Sequence, residues 1–216
     1  MPHIDLMEDY PKTKRPVDHR AEASWEDRIL AKRFGKEYFD GTRQQGCGGY
    51  TYDGRWKPVV RRFREHYGLT AESSILDVGC AKGFMLFDFM ESIPGVTVAG
   101  VDISEYALSH AMEPVKPFLS MSDCVELPYP DNTFDLVVSI ATIHNPELDG
   151  VKRALKELER VSRGHSFIKV GAYRTDAERI RLNRWNVVAN TFLSCDGWVD
   201  LFHEVGYTGD YTWFNP

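Results

Sequence analysis

From residue 74 onward the chain alternates two kinds of segment, and that alternation limits the possible folds more than any other feature. SILDV, VTVAGVD, PFLSM, FDLVVSI and SFIKVGAY are short apolar runs. FMLFDFMES, SEYALSHAM and ELDGVKRALKELERVS lie between them and carry helical spacing. Short strands alternating with helices make a parallel sheet with helices on both faces, because each crossover returns the chain over one face. The closing YTGDYTWF alternates aromatics around Gly-Asp and predicts a last strand or hairpin at one edge.

The first third reads differently. Residues 1–20 are charged, hold three prolines and predict a flexible arm, frayed or draped. Ser24 to Phe39 predicts one amphipathic helix, capped by Ser24, with Trp25, Ile29, Leu30, Phe34 and Phe39 as its apolar stripe. A second helix is expected over RWKPVVRRFREHYGL, with Pro58 in its first turn and Gly68 ending it. The expected division is therefore an arm (1–20), a helical lid (21–68) and a core (69–216) with an acceptor-recognition insertion near 172–196.

Charge and cysteine usage narrow the function classes. Lys plus Arg number 26 against 32 Asp plus Glu, a net charge of −6, which makes nucleic acid and anionic membranes poor default partners. Cys47, Cys80, Cys124 and Cys195 form no CxxC pair, so reduced thiols in the cytoplasm are expected and a metal centre is not. No apolar run approaches ~18 residues, and the N-terminal stretch lacks the apolar centre of a signal peptide.

The chemistry is concentrated after the strands. ILDVGCAKGFML puts Gly79, Ala81 and Gly83 at spacing two between a strand and a helix. In an open parallel sheet ligands sit beyond such strand ends, and small residues let backbone approach them. A dinucleotide fingerprint would need glycine where Ala81 and Phe84 stand. Asp77 precedes the turn instead, and an acid there suits a cationic amino group rather than a pyrophosphate. Asp102 ends the next strand, where a carboxylate accepts from both hydroxyls of a ribose. Asp123 follows the third strand and suits an exocyclic amine, with Ile103 and Cys124 against an adenine ring. The ligand so described has an amine, a ribose and an adenine, with no phosphate required.

DVGCAKG (77–83), GVDIS (100–104), SDCVELPYPDNTFDLVVS (122–139), KELERVSRGHSFIKV (156–170) and the closing GYTGDYTWF resemble the class I S-adenosylmethionine-dependent methyltransferases. The resemblance implies a Rossmann-like, seven-stranded, mostly parallel sheet with helices on both faces and an N-terminal helical cover. It implies S-adenosylmethionine as cofactor, held by Asp77, Gly79, Cys80, Ala81, Gly83, Asp102, Ile103, Asp123, Cys124 and Ile140, with no metal. The pattern departs at Ala81, where the family has glycine; a single added methyl is expected to be tolerated.

SIATIHNPE follows the fourth strand, and the resemblance sets His144 and Asn145 beside the acceptor. His144 is expected to act as general base or to orient the acceptor, since imidazole titrates near neutrality. Lys82 is expected to point to solvent, away from a cationic cofactor. Lys169 carries less, and His110, His165 and His203 read as structural or surface residues.

Acceptor recognition is expected after the fifth strand. Tyr173 and Arg174 stand nearest the strand end, and Arg181, Arg184 and Trp185 share a helical face. Arginine forks fit a carboxylate or phosphate, with Arg174 the best single candidate, although a solvated helix face would use the same residues. GCGGYTYDGRW (46–56) reads as part of the cover: Tyr50 and Tyr52 over cofactor and acceptor, Arg55 at the cofactor carboxylate, Trp56 anchoring the next helix. The expected partner is a small, anionic acceptor, methylated on oxygen. The alternatives are a small amine, a nucleic acid or protein using RRFREHY (61–67) as a basic patch, and a non-catalytic cofactor-binding protein. The sequence does not set the oligomeric state.

Overall fold

The computed structural model describes residues 2–11 and 18–216; the part of the expected arm over 12–17 lies outside the described residues. Seven strands form one sheet: β1 (Ser74–Val78), β2 (Thr97–Asp102), β3 (Leu119–Met121), β4 (Phe134–Ile140), β5 (Ser162–Tyr173), β6 (Leu193–Ser194) and β7 (Asp210–Phe214). Their order is β3-β2-β1-β4-β5, and β6 and β7 both pair with β5. Strand order reverses between β1 and β4, the place where such sheets open a crevice at their C-terminal ends.

Every strand pairing is parallel, including β5 with β7. The closing segment is therefore a strand and not a hairpin. The reason is α9 (Cys195–Val205), which crosses back before β7 and makes it run in the common direction.

Alternation along the strands divides the core in two. Leu76, Val137, Ile168 and Val170 face α7 (Leu148–Val161) and α9, meeting Leu155, Leu158, Trp198 and Phe202. Ile75, Leu136, Val138 and Phe167 face the other way, onto α4 (Lys57–Tyr67) and α5 (Phe84–Ser92), meeting Val60, Phe63, Leu86 and Phe89. Asp77 continues the second face beyond Ile75, as Lys169 does beyond Phe167. α4 starts on Pro58 and ends on Gly68 at φ 62°, the left-handed turn that glycine adopts without strain.

The single helix expected over 24–39 is two. α2 (Trp25–Ala31) has a reciprocal Ser24–Asp27 capping box, and α3 (Lys36–Asp40) starts after Gly35. The break falls at Phe34, whose φ of 49° stops the helical ladder. The expected apolar stripe breaks with it: Trp25 is 73% exposed and Ile29 40%, while Ala31 and Phe39 are the buried residues. A short α1 (Asp18–Ala21) precedes them, and α6 (Glu105–Ser109) and α8 (Asp176–Trp185) complete the helices described.

Where described, the N-terminal arm is packed. The Ile4 amide donates to the Tyr211 carbonyl (3.0 Å), the Tyr211 amide donates to the Pro2 carbonyl (3.3 Å), and Leu6 and Met7 are buried. Residues 2–4 thus run along the outer edge of β7.

Candidate cofactor and acceptor site

A cavity of about 950 Å³ opens at the C-terminal ends of β1, β2, β4 and β5. The lid residues and the 5–11 segment line its other side.

One end is acidic. Asp77 is buried, and its pKa is pushed up to about 8 by burial and by the Asp102 carboxylate. A cation placed beside it would reverse that shift, because it favours the ionised form. Asp102 accepts from the Ala81 and Ser104 amides, each at 2.8 Å, which orients its carboxylate at the strand end. Burial raises its pKa, and these amides pull it back down. Asp123 is exposed and accepts from the Val125 amide. Ile103 presents an apolar side chain at 49% exposure, and Cys124 is buried.

Backbone shape decides which residues the turn tolerates. Gly79 has φ 86°, and a Cβ there would fall within the Thr142 side chain. Gly83 has φ 74°, and its Cβ would meet Val115 at 2.7 Å. Ala81 has φ 51° and occupies the left-handed region without glycine's freedom.

The structure brings Asp77, Gly79, Cys80, Ala81, Asp102, Ile103, Asp123, Cys124, Ile140, Arg55, Tyr50, His144 and Asn145 to this cavity. Gly83, Tyr52, Tyr173 and Arg174 do not line it. Gly83 sits behind the turn as the α5 cap. The Tyr52 hydroxyl donates to Asp88 on α5 at 2.6 Å, which turns the ring away from the cleft. Arg174 is exposed, and its amide is held by Glu178. Arg55 lines the cavity, but its fork is closed on Asp53 through contacts of 2.6–3.0 Å.

His144, expected as a general base or as an orienting group, is buried. Burial drives its pKa down to about 4, and the Gly171 amide donates to its Nδ1 at 3.2 Å. A neutral ring that accepts at Nδ1 carries its proton on Nε2. Nε2 is then a donor, with no lone pair to take a proton.

Lys82, expected at the surface, is buried. Its ammonium contacts both Asp40 oxygens (2.7 and 2.9 Å) and the Tyr50 carbonyl (2.9 Å). Asp40 also accepts from the Tyr50 amide and the Tyr106 hydroxyl. Burial raises the Asp40 pKa, but these donors outweigh it and hold the carboxyl below its usual range. The lid loop is zipped onto α3 by the Cys47 and Gly49 amides, which donate to the Tyr38 and Phe39 carbonyls. Gly48, Gly49 and Gly54 take positive φ there, and the Tyr50 ring stacks on Phe84 at 4.8 Å. Arg20 ties the same loop to the other wall: it donates to the Gly46 carbonyl and lies 4.3 Å over the Trp185 ring. No sequence signal links residues 40 and 82.

Several other basic side chains are engaged away from the cavity. Arg62 pairs with Glu8 and Asp9, Arg179 with Asp176, and Arg181 with the Asn215 side chain. Among the described residues no cluster of three potential metal ligands occurs, and no helix is long and apolar enough to cross a membrane.

A seven-stranded sheet of this order, with an acid and glycine turn after β1 and an acid ending β2, defines the class I S-adenosylmethionine-dependent methyltransferases. Residues 76–168 match the methyltransferase domain family, and the chain belongs to that class. It is 33% identical over 154 residues to a demethylmenaquinone methyltransferase of Symbiobacterium thermophilum, covering 67% of this chain and 60% of that one. It is 36% identical over 110 residues to sterol 24-C-methyltransferase ERG6B of Gibberella zeae, covering 45% of this chain and 28% of that one. The chain spans less than two thirds of the length of these relatives. The crystal structure of the YcgJ protein from Bacillus subtilis superposes with a TM-score of 0.55 at 20% identity, covering 68% of this chain and 66% of that one. That likeness concerns the fold.

Proposed function

We propose that this chain transfers a methyl group from S-adenosylmethionine to a small-molecule acceptor, with oxygen as the accepting atom. The observation that carries the proposal is one cavity lined by two unlike sets of groups. Asp77 and Asp102 line it together with aromatic side chains and His144, whose Nδ1 accepts from the Gly171 amide. The residues at the acidic end fit the cofactor. Asp77 would meet the amino group, Asp102 the ribose, and Asp123 and Cys124 the adenine, and the backbone turn at Gly79 would leave room for it. When bound, S-adenosylmethionine supplies an activated methyl: the C–O bond forms as the S–CH₃ bond breaks, the electron pair returns to sulfur, and the acceptor proton goes to solvent. The chain's part is placement. In-line orientation supplies much of the acceleration in such a transfer, Asn145 and the Nε2–H of His144 orient the acceptor, and the lid excludes water.

Carbon as the accepting atom is the second reading, supported by the names of the menaquinone and sterol relatives. The test is incubation of the full chain with labelled S-adenosylmethionine and a panel of phenols, enols and hydroxy acids, with products read by mass spectrometry. An O-methyl product loses its acidic proton, whereas a C-methyl product keeps it. Failure to bind S-adenosylhomocysteine, or binding unchanged in Asp77→Asn and Asp102→Asn, would sink the proposal.

A further inference from the structure

Lys169 is the one charged residue inside an apolar strand, FIKVGAY, and it lines the cavity. Its neighbour in register is Ile140, at the end of β4, on the face that carries Asp77. Ideal strand spacing sets its backbone about 12 Å from that of Asp77, two strands across and two residues along. Its ammonium lies 5.9 Å from the Tyr10 ring centroid and 5.6 Å from that of Phe214. Behind those rings stand Trp56, 4.8 Å from Tyr10, and Trp185, 4.7 Å from Phe214. No ion pair or hydrogen bond joins Lys169 to another described side chain; Asp5 acts on it only from a distance while capping the Met7 amide. Burial depresses its pKa, and the more distant Asp5 carboxylate offsets only part of that.

A cation with no acid in direct contact, facing a site for a cationic methyl donor, is repelled by it unless a ligand brings a negative charge between them. Aromatic walls on both sides favour a flat ligand. We infer that Lys169 is the acceptor's counter-ion, and that the acceptor is a planar conjugated molecule bearing an acidic oxygen of the phenol or enol type, held as its oxyanion. This deepens the methyltransferase proposal and rests on it. It also assigns to the middle of β5 the anion recognition expected at Arg174. Methylating that oxygen removes the charge, so Lys169 loses its partner and the neutral product is released.

The test uses 4-nitrophenol, whose ionised form has its own visible absorption band, in a buffer acidic enough to keep the free phenol protonated. Adding the full chain with S-adenosylhomocysteine should produce the phenolate band. Lys169→Met and Lys169→Gln should weaken it at least tenfold, and Lys169→Arg should restore it. Calorimetry with S-adenosylhomocysteine runs on every variant and reports folding and cofactor binding independently. Absence of the band while S-adenosylhomocysteine binds normally overturns the inference alone, as does an equal band in Lys169→Met. Loss of S-adenosylhomocysteine binding by the unaltered chain overturns the underlying proposal as well.

Discussion

The Lys82 ammonium reaches both carboxylate oxygens of Asp40, at 2.7 and 2.9 Å, and so joins the glycine turn to the C-terminal end of α3 in the lid. The pair is largely out of solvent, with side-chain exposures of 8% and 24%. Removing one partner leaves a desolvated charge, costing more than a surface pair and less than a fully buried one. Lys82→Met should lower stability by about 2 kcal/mol, or ~4–8 °C in melting temperature for a chain of this size. It should weaken acceptor binding more than cofactor binding. In a double-mutant cycle Asp40→Leu should cost less once Lys82 is gone, the remainder being its bonds from Tyr50 and Tyr106; fully additive losses would show that the two residues do not act together.

Ala81 stands at φ 51°, where a Cβ is strained by ~1–2 kcal/mol, while glycine gains unfolded-state entropy of up to ~1 kcal/mol. Ala81→Gly should therefore stabilise the chain by about 0.5–1 kcal/mol and leave cofactor affinity unchanged. A lower melting temperature would contradict this account of the turn.

Asp77 gives a proton-linkage prediction. With its pKa near 8 in the free chain, it is mostly protonated at pH 7, and a ligand ammonium requires it ionised. Binding of S-adenosylhomocysteine at pH 7 should release most of a proton, and affinity should rise with pH until about 8. Calorimetry in buffers of different ionisation enthalpy reads the release directly. Asp77→Asn should abolish the release; an unchanged value would move the amino group elsewhere.

His144 titrates the other way. Its pKa falls from 6.5 to about 4 on folding, so the unfolded chain takes the proton first. Its contribution is fully present above pH 6.5 and is lost as pH falls from 6.5 towards 4. His144→Gln should flatten that part of the melting curve. Because glutamine also donates, the same variant should keep turnover within about tenfold, whereas removing a true base costs ~100- to 10,000-fold. A loss on that scale in His144→Gln would restore the base role.

The parallel sheet and the placement of the glycine turn, Asp77 and Asp102 were legible because they are local. Strand period, helix period and the acid–glycine spacing all lie within about thirty residues. The break at Phe34 was not, since Phe34 and Gly35 sit in an unbroken apolar spacing and only the backbone reveals the positive φ. The direction of β7 depended on whether α9 crossed the sheet. Lys82 was misplaced because its partner lies 42 residues away. Arg174 was favoured by nearness in sequence to a strand end, while Lys169, inside the strand, faces the cavity. Lone charges in apolar runs were the signal available.

The 2–11 segment has a consequence in time rather than in space. Asp5, Met7 and Tyr10 line the cavity, and the backbone just before them, at Pro2 and Ile4, is fastened to Tyr211. Contacts this distant in sequence carry the largest loop-closure cost and form late. Residues 2–4 must wait for β7 before their backbone has a partner, so this side of the cavity is completed late. A chain halted before β7 could shape its glycine turn but not the chamber beside it.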